Sequence, residues 1–171
     1  MITTRNRVGD LRRTCCVLQQ LNPPPLEVLI TADGCTDGTV EFVKSELPDA
    51  RLIVNEHERG PVASRDRMMR AVRCDLVLAL DDDTCPEQWD CIARIVSTFE
   101  QHRNLAVLHF PQRTDEYPET LAQTDFGPER LTRTFPNSGA VLQRSTCLRL
   151  PGFESRFFHA YESPLFRART R

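Results

Sequence analysis

Leu76-Val77-Leu78-Ala79-Leu80-Asp81-Asp82-Asp83 is the stretch that sets the fold. Its first five residues are a continuous apolar run, the pattern of a strand buried on both faces, which belongs to a mostly parallel sheet covered by helices. Shorter runs of the same kind occur upstream at Val28-Leu29-Ile30 and Leu52-Ile53-Val54, and downstream at Leu105 to Phe110. Ala140-Val141-Leu142 returns to the sheet. Helical spacing fills the gaps. Asp10 is placed to cap a helix through Leu11, Cys15 and Leu18. Val40, Val43 and Leu47 form another face. Gly60-Pro61 opens a third helix, proline suiting a first turn, and Pro86 opens a fourth with Trp89, Ile92, Val96 and Phe99 inward. Asn22-Pro23-Pro24-Pro25 reads as a stiff turn. Strands alternating with helices predict an α/β fold with a mostly parallel central sheet flanked by helices.

The carboxyl ends of such strands are where ligands bind. Asp33 follows the strand at 28–30, and Asp81, Asp82 and Asp83 follow the strand at 76–80, so in a parallel sheet both groups open onto one edge. Three adjacent carboxylates repel one another and are tolerated when well solvated or when they hold a cation. Oxygen ligands suit Mg²⁺ or Mn²⁺, with a substrate phosphate completing the shell. The run alone is equally compatible with a solvated turn in which Asp83 or Thr84 caps the helix at Pro86. Its place after the most apolar strand favours the metal.

Positions 62, 65, 69 and 72 share one helical face. Val62, Met69 and Val72 are apolar, so Arg65 lies on an inward stripe and requires a carboxylate or phosphate partner. Periodicity alone favours a structural ion pair, with Asp33 or Asp81 as candidates. His57, His102, His109 and His159 have no metal-ligand spacing. Ser64, Ser138 and Ser163 lack a nucleophile-elbow context. Asp33-Gly34-Cys35-Thr36-Asp37-Gly38 is too acidic for a dinucleotide fingerprint, and no phosphate-binding P-loop is present.

The chain of 171 residues, 40% hydrophobic and 27% charged, suits one domain with a full core. A formal charge of -2 supplies no general attraction for nucleic acid or anionic membrane. The apolar runs are too short for a membrane span, and no signal peptide is expected at the opening. Seven cysteines without a Cys-x-x-Cys pair argue against zinc and for a reducing, cytoplasmic setting in which each packs as a small buried hydrophobe. The segment 111–136 is polar, proline-punctuated and aperiodic, which marks a functional or mobile loop. The tail holds Phe153, Phe157, Phe158, Tyr161 and Phe166, for which core packing is the default.

Several of these segments, taken in order, resemble family 2 glycosyltransferases. They are Ile2-Thr3-Thr4-Arg5-Asn6-Arg7, Glu27 to Thr39, Ala63-Ser64-Arg65-Asp66, Leu80-Asp81-Asp82-Asp83 as an Asp-x-Asp metal motif, Ser138 to Arg144, and Gly152-Phe153-Glu154. The resemblance implies a GT-A fold, Rossmann-like with a smaller acceptor-side region. It divides a single domain, 1–171, into a nucleotide-sugar-binding half at 1–110 and an acceptor-side half at 111–171. It implies inverting, metal-dependent transfer from a nucleotide diphosphate sugar to the hydroxyl of a saccharide or lipid-linked acceptor. Asp33 would contact the base, Arg65 would lie near base or diphosphate, and Asp81 and Asp82 would lie along ribose and sugar. Thr4 and Asn6 belong to the same donor-binding set. Asp83 would hold Mn²⁺ or Mg²⁺ at the diphosphate. No transmembrane segment is implied, and peripheral contact with the inner face of a membrane is compatible with such an acceptor.

The family's base usually sits in a Glu-Asp pair, whereas the tail has Glu162-Ser163. Serine does not act as a base near neutral pH without activation, so Glu162 is the candidate base, and a non-catalytic nucleotide-sugar-binding domain is the alternative. An apolar strand usually precedes the Thr-Thr-Arg-Asn segment, and helices often follow the point where this chain stops. A fragment, a shortened relative and a degenerate copy are the expectations that follow.

Overall fold

The computed structural model describes residues 1–123 and 135–149. Among the described residues, six strands form one sheet: β1 (Ile2–Thr4), β2 (Leu29–Asp33), β3 (Arg51–Asn55), β4 (Leu76–Asp81), β5 (Val107–His109) and β6 (Ala140–Gln143). Their spatial order is β3-β2-β1-β4-β6-β5. β1 pairs in parallel with β2 and β4, and β2 pairs in parallel with β3. β6 runs antiparallel to both β4 and β5, so β5 points the same way as β4. The α/β, mostly parallel expectation therefore holds. The chain winds from β1 outward to β3, then crosses back to β4 on the other side of β1. The join between β1 and β4 is thus the switch point at which a crevice opens beyond the strand ends.

Among the described residues, five α-helices cover the sheet: α1 (Val8–Leu18), α2 (Thr39–Glu46), α3 (Pro61–Ala71), α4 (Cys91–Gln101) and α5 (Arg144–Arg149). Every residue of β2 is buried, because it lies between β1 and β3 and is roofed on both faces. Neighbouring side chains of a strand point to opposite faces, and Leu29 and Ile30 accordingly enter different cores. Ile30 packs with Ile2, Leu11, Cys15, Phe42, Val43 and Leu80 beneath α1 and α2. Leu29 packs with Val62, Met68, Met69, Val77, Leu142 and Cys147 beneath α3 and α5.

Several sequence expectations need correction. Asp10 does not cap α1. The helix starts at Val8, with Arg7 at the cap position and Asp10 inside the first turn. The fourth helix begins at Cys91 rather than Pro86, and its buried face is Cys91 and Ile95. Trp89 and Val96 are exposed, since Trp89 lies before the helix and the buried face of the helix runs through Cys91 and Ile95. β3 is an edge strand, partly open to solvent, and Val54 is 45% exposed. Cys15, Cys91 and Cys147 are buried, but Cys16 and Cys85 are exposed, and Cys35 and Cys74 are intermediate. The aromatic tail, Glu162 and Ser163 lie outside the described residues.

Among the described residues, no helix is long and apolar enough to cross a membrane.

Candidate functional site

A cleft of about 580 Å³ opens at the carboxyl edge of β1, β2 and β4. It is lined by Thr3, Thr4, Arg5, Arg7, Asp33, Glu58, Pro61, Arg65, Asp81, Asp82, Asp83, Gln112, Pro136, Asn137 and Ser138. Thr4, Asp33 and Asp81 are the last residues of their strands, so the parallel register itself delivers them to one edge. A smaller hollow of about 330 Å³, lined by residues 24–28 and 46–50 among others, lies at the opposite, amino ends of β2 and β3. Chemistry on an open parallel sheet belongs to the carboxyl edge, which makes the larger cleft the candidate site.

Two guanidinium groups, on Arg65 and Arg7, partly offset the charge of the acidic triplet. The Arg65 guanidinium donates to Asp81 Oδ1. The side chain of Arg65 is 8% exposed and that of Asp81 is 41% exposed. With its amide turned so that the oxygen faces the guanidinium, Asn137 accepts from Arg65 Nε at 2.6 Å and from Nη1 at 2.7 Å. The ion pair that helical periodicity favours is therefore present, with Asp81 and not Asp33 as partner. Arg7 holds the other two carboxylates: NH2 donates to Asp83 Oδ2 at 2.8 Å, and NH1 lies 3.3 Å from Asp82 Oδ1. Its Nε donates to Asp10 Oδ2 at 2.9 Å. The Asp10 bond first, and then the Asp83 bond, push the Arg7 pKa further up and keep it charged. The capping role considered for Asp83 or Thr84 is not realised, because the next helix begins at Cys91.

Asp82 is the buried member of the triplet. Thr4 Oγ1 donates to its Oδ2 at 2.8 Å, and Thr14 Oγ1 donates to its backbone carbonyl at 2.8 Å. These bonds tie β1 and α1 to the turn after β4. Burial raises the Asp82 pKa; the Thr4 hydrogen bond and then the Arg7 charge oppose that shift.

Asp33 is also buried yet reaches the cleft. Its Oδ1 accepts from Asn55 Nδ2 at 2.7 Å and Arg59 N at 3.0 Å, and its Oδ2 from Gly60 N at 2.9 Å. The carboxylate thereby fastens the loop that starts α3. Gly34, at φ +65°, lets that loop approach: a Cβ there would sit 2.7 Å from the Glu58 backbone nitrogen. Asn6, in the left-handed region at φ 53°, turns its Oδ1 to Thr36 N at 2.7 Å and Asp37 N at 3.3 Å. It braces two loops and is not among the cleft-lining residues.

Thr4, Asp33, Arg65, Asp81, Asp82 and Asp83 thus meet in one cleft. Sequence reasoning missed Arg7, Gln112 and Asn137 as site residues. It also passed over Ser138, whose Oγ accepts from Asp81 N at 3.2 Å. Arg7 ends the opening segment of the resemblance, but nothing there marks it as the partner of Asp83, which is distant in sequence. Among the described residues, no three His, Cys, Asp or Glu side chains converge to hold an ion unaided. The half-exposed Asp83 is a hard oxygen donor at the cleft mouth. It fits Mg²⁺ or Mn²⁺ when phosphate oxygens supply further ligands.

The sequence profile described as Glycosyl transferase family 2 matches residues 1–167. A search of curated protein sequences finds no significant match. Among solved structures, the mannosyltransferase PcManGT from Pyrobaculum calidifontis in complex with GDP-Man and Mn²⁺ superposes with a TM-score of 0.71 at 21% identity, covering 90% of this chain and 46% of that one. TarS 1-349 from S. aureus in complex with UDP gives 0.73 at 16% identity, covering 98% and 52%. The same protein in complex with UDP-GlcNAc gives 0.65 at 16%, covering 86% and 45%. At these identities the likeness shows the fold, GT-A. The chain spans about half the length of these structures.

Proposed function

The chain belongs to glycosyl transferase family 2, and from that premise we propose that it transfers a sugar, with inversion, from a nucleotide diphosphate sugar to an acceptor hydroxyl, using a divalent metal. The observation that carries this reading is the meeting of Thr4, Asp33, Arg65 and the triplet Asp81–Asp83 in one cleft at the switch point of the sheet. Arg65, at the cleft wall, lies close to the donor base or diphosphate and orders Asp81. Asp81 and Asp82 flank the ribose and sugar, with Thr4 holding Asp82 in place. Asp33 shapes the base-binding end through the loop it fastens, and its edge at the cleft meets the base. Asn6 contributes through the loops it braces. Asp83 takes Mg²⁺ or Mn²⁺ together with the diphosphate, and the ion neutralises charge on the departing group. Glu162 is the base that removes the acceptor proton, and the acceptor is a saccharide or lipid-linked sugar. A cytoplasmic enzyme touching the inner face of a membrane suits such an acceptor.

A thermal-shift panel of UDP and GDP, with and without Mn²⁺, tests donor binding. A ligand of the folded state raises Tm by mass action, by about 2.7 kcal/mol of stability at a hundredfold excess over Kd. The expected result is a shift that needs Mn²⁺ and is lost in Asp83→Ala. No shift with either nucleotide in the presence of metal refutes the proposal. The Glu162-Ser163 sequence favours one second reading, a nucleotide-sugar-binding domain without turnover. A gain in donor hydrolysis or transfer by orders of magnitude in Ser163→Asp supports that reading, and robust wild-type transfer excludes it.

A further inference from the structure

We propose that Arg7 is a built-in counter-cation that competes with the divalent ion for Asp83, so that the metal binds by displacing a guanidinium. This inference rests on the reading of Asp83 as the metal ligand. Its grounds are geometric. Arg7 NH2 is bonded to Asp83 Oδ2 at 2.8 Å, and NH1 stands 3.3 Å from Asp82 Oδ1. One guanidinium therefore bridges the two carboxylates. A hard dication on Asp83 draws on the same carboxylate and is repelled by the positive charge already beside it.

The arrangement also permits release. The Arg7 backbone is fixed at the start of α1, its carbonyl accepting from Leu11 N at 3.0 Å, while its side chain is 46% exposed. The head can leave Asp83 without unfolding anything, and Asp10 Oδ2, bonded to Nε at 2.9 Å, keeps a partner for it. A planar guanidinium also pairs well with phosphate oxygens, so an incoming diphosphate offers Arg7 a second place to go. The repulsion expected among three adjacent carboxylates is partly offset here by Arg7 and Arg65.

The experiment is Mn²⁺ binding to the whole chain without nucleotide, read from the electron paramagnetic resonance signal of the free ion. Arg7→Met, which removes the charge and keeps the stem, is expected to bind Mn²⁺ roughly tenfold more tightly than wild type. Arg7→Gln must give the same direction, which guards against a local packing effect of methionine. Adding Asp83→Asn to Arg7→Met is expected to abolish the gain. Arg12→Met removes an equal charge from the same helix, at a residue paired with Glu46, and is expected to leave the affinity unchanged. Unchanged or weaker Mn²⁺ binding in both Arg7 variants overturns the proposal, as does an equal gain in Arg12→Met or no binding in any variant. Failure of the Asp83 reading has a different signature: the Arg7→Met gain persists after Asp83→Asn.

Discussion

Arg65 and Asp81 form an ion pair with one dry half and one wet half, and that asymmetry makes a sharp prediction. Asp81→Ala leaves a permanently charged guanidinium at a place where its side chain is 8% exposed. Breaking a buried pair in this way costs about 3–5 kcal/mol. The Asn137 carbonyl still accepts two bonds from Arg65, which retains part of the compensation and brings the expected cost to about 2–3 kcal/mol. Arg65→Met leaves the opposite partner, a carboxylate 41% exposed, which hydrates at little cost. The methionine stem also stays on the apolar stripe with Val62 and Met69, so the expected cost is about 1 kcal/mol. The double variant is expected to fall near Arg65→Met alone, because removing the cation cancels the penalty of having stranded it. Urea denaturation of the whole chain without nucleotide, with all four members of the cycle, measures each difference. An Arg65→Met cost equal to or above that of Asp81→Ala refutes the assignment of Arg65 as the desolvated partner.

Three further outcomes follow from the same geometry. Gly34→Ala places a Cβ against the Glu58 backbone at a positive φ and is expected to cost roughly 2–3 kcal/mol, read as a lower urea midpoint; a change under about 0.5 kcal/mol would mean that the 57–60 loop yields freely. Asp82→Asn is expected to raise Tm at neutral pH: burial lifts the folded pKa of Asp82 above its ordinary value of 3.8, so the ionised form opposes folding at high pH. That penalty fades as the wild type protonates, so the gain of the variant must shrink as pH falls toward 3.8, and a gain independent of pH contradicts the cause. Finally, Ellman's reagent should label the exposed Cys16 and Cys85 first. Cys15 and Cys147, both pushed up to about 11 by burial, should wait for unfolding, and rapid native labelling of either would show that the cores open.

The parts of the molecule that were legible in the sequence are those whose environment is uniform. β4 is roofed on both faces, so its apolar run has no gaps, and α3 lies flat on the sheet, so positions 62, 65, 69 and 72 kept their phase and exposed the oddity of Arg65. β1 was hidden by its length. Three residues hold no period, and Ile2 is a core residue because Ile30 and Leu80 flank it in register, a fact of the partners and not of the segment. α4 misled because Trp89 precedes the helix, whose buried face runs through Cys91 and Ile95 and leaves Val96 exposed. In the site, the carboxylates could be found because strand ends are predictable. Arg7 and Asn137 could not, because each acts across a long sequence separation that only the folded chain closes.

The reversed direction of β6 has a consequence for how such a molecule can diversify. β5 ends, and β6 begins, at the same rim of the sheet, so Gln112 on one side and Asn137 and Ser138 on the other both line the cleft. The connection between them is tethered at that rim by its two ends. Insertions, deletions or wholesale replacement there would change the rim of the cleft while leaving the register Leu78↔Val141 and Leu108↔Val141 untouched. The wall of the cleft could thus change by editing one stretch of chain, with the strands that carry Thr4, Asp33 and Asp81 left as they are.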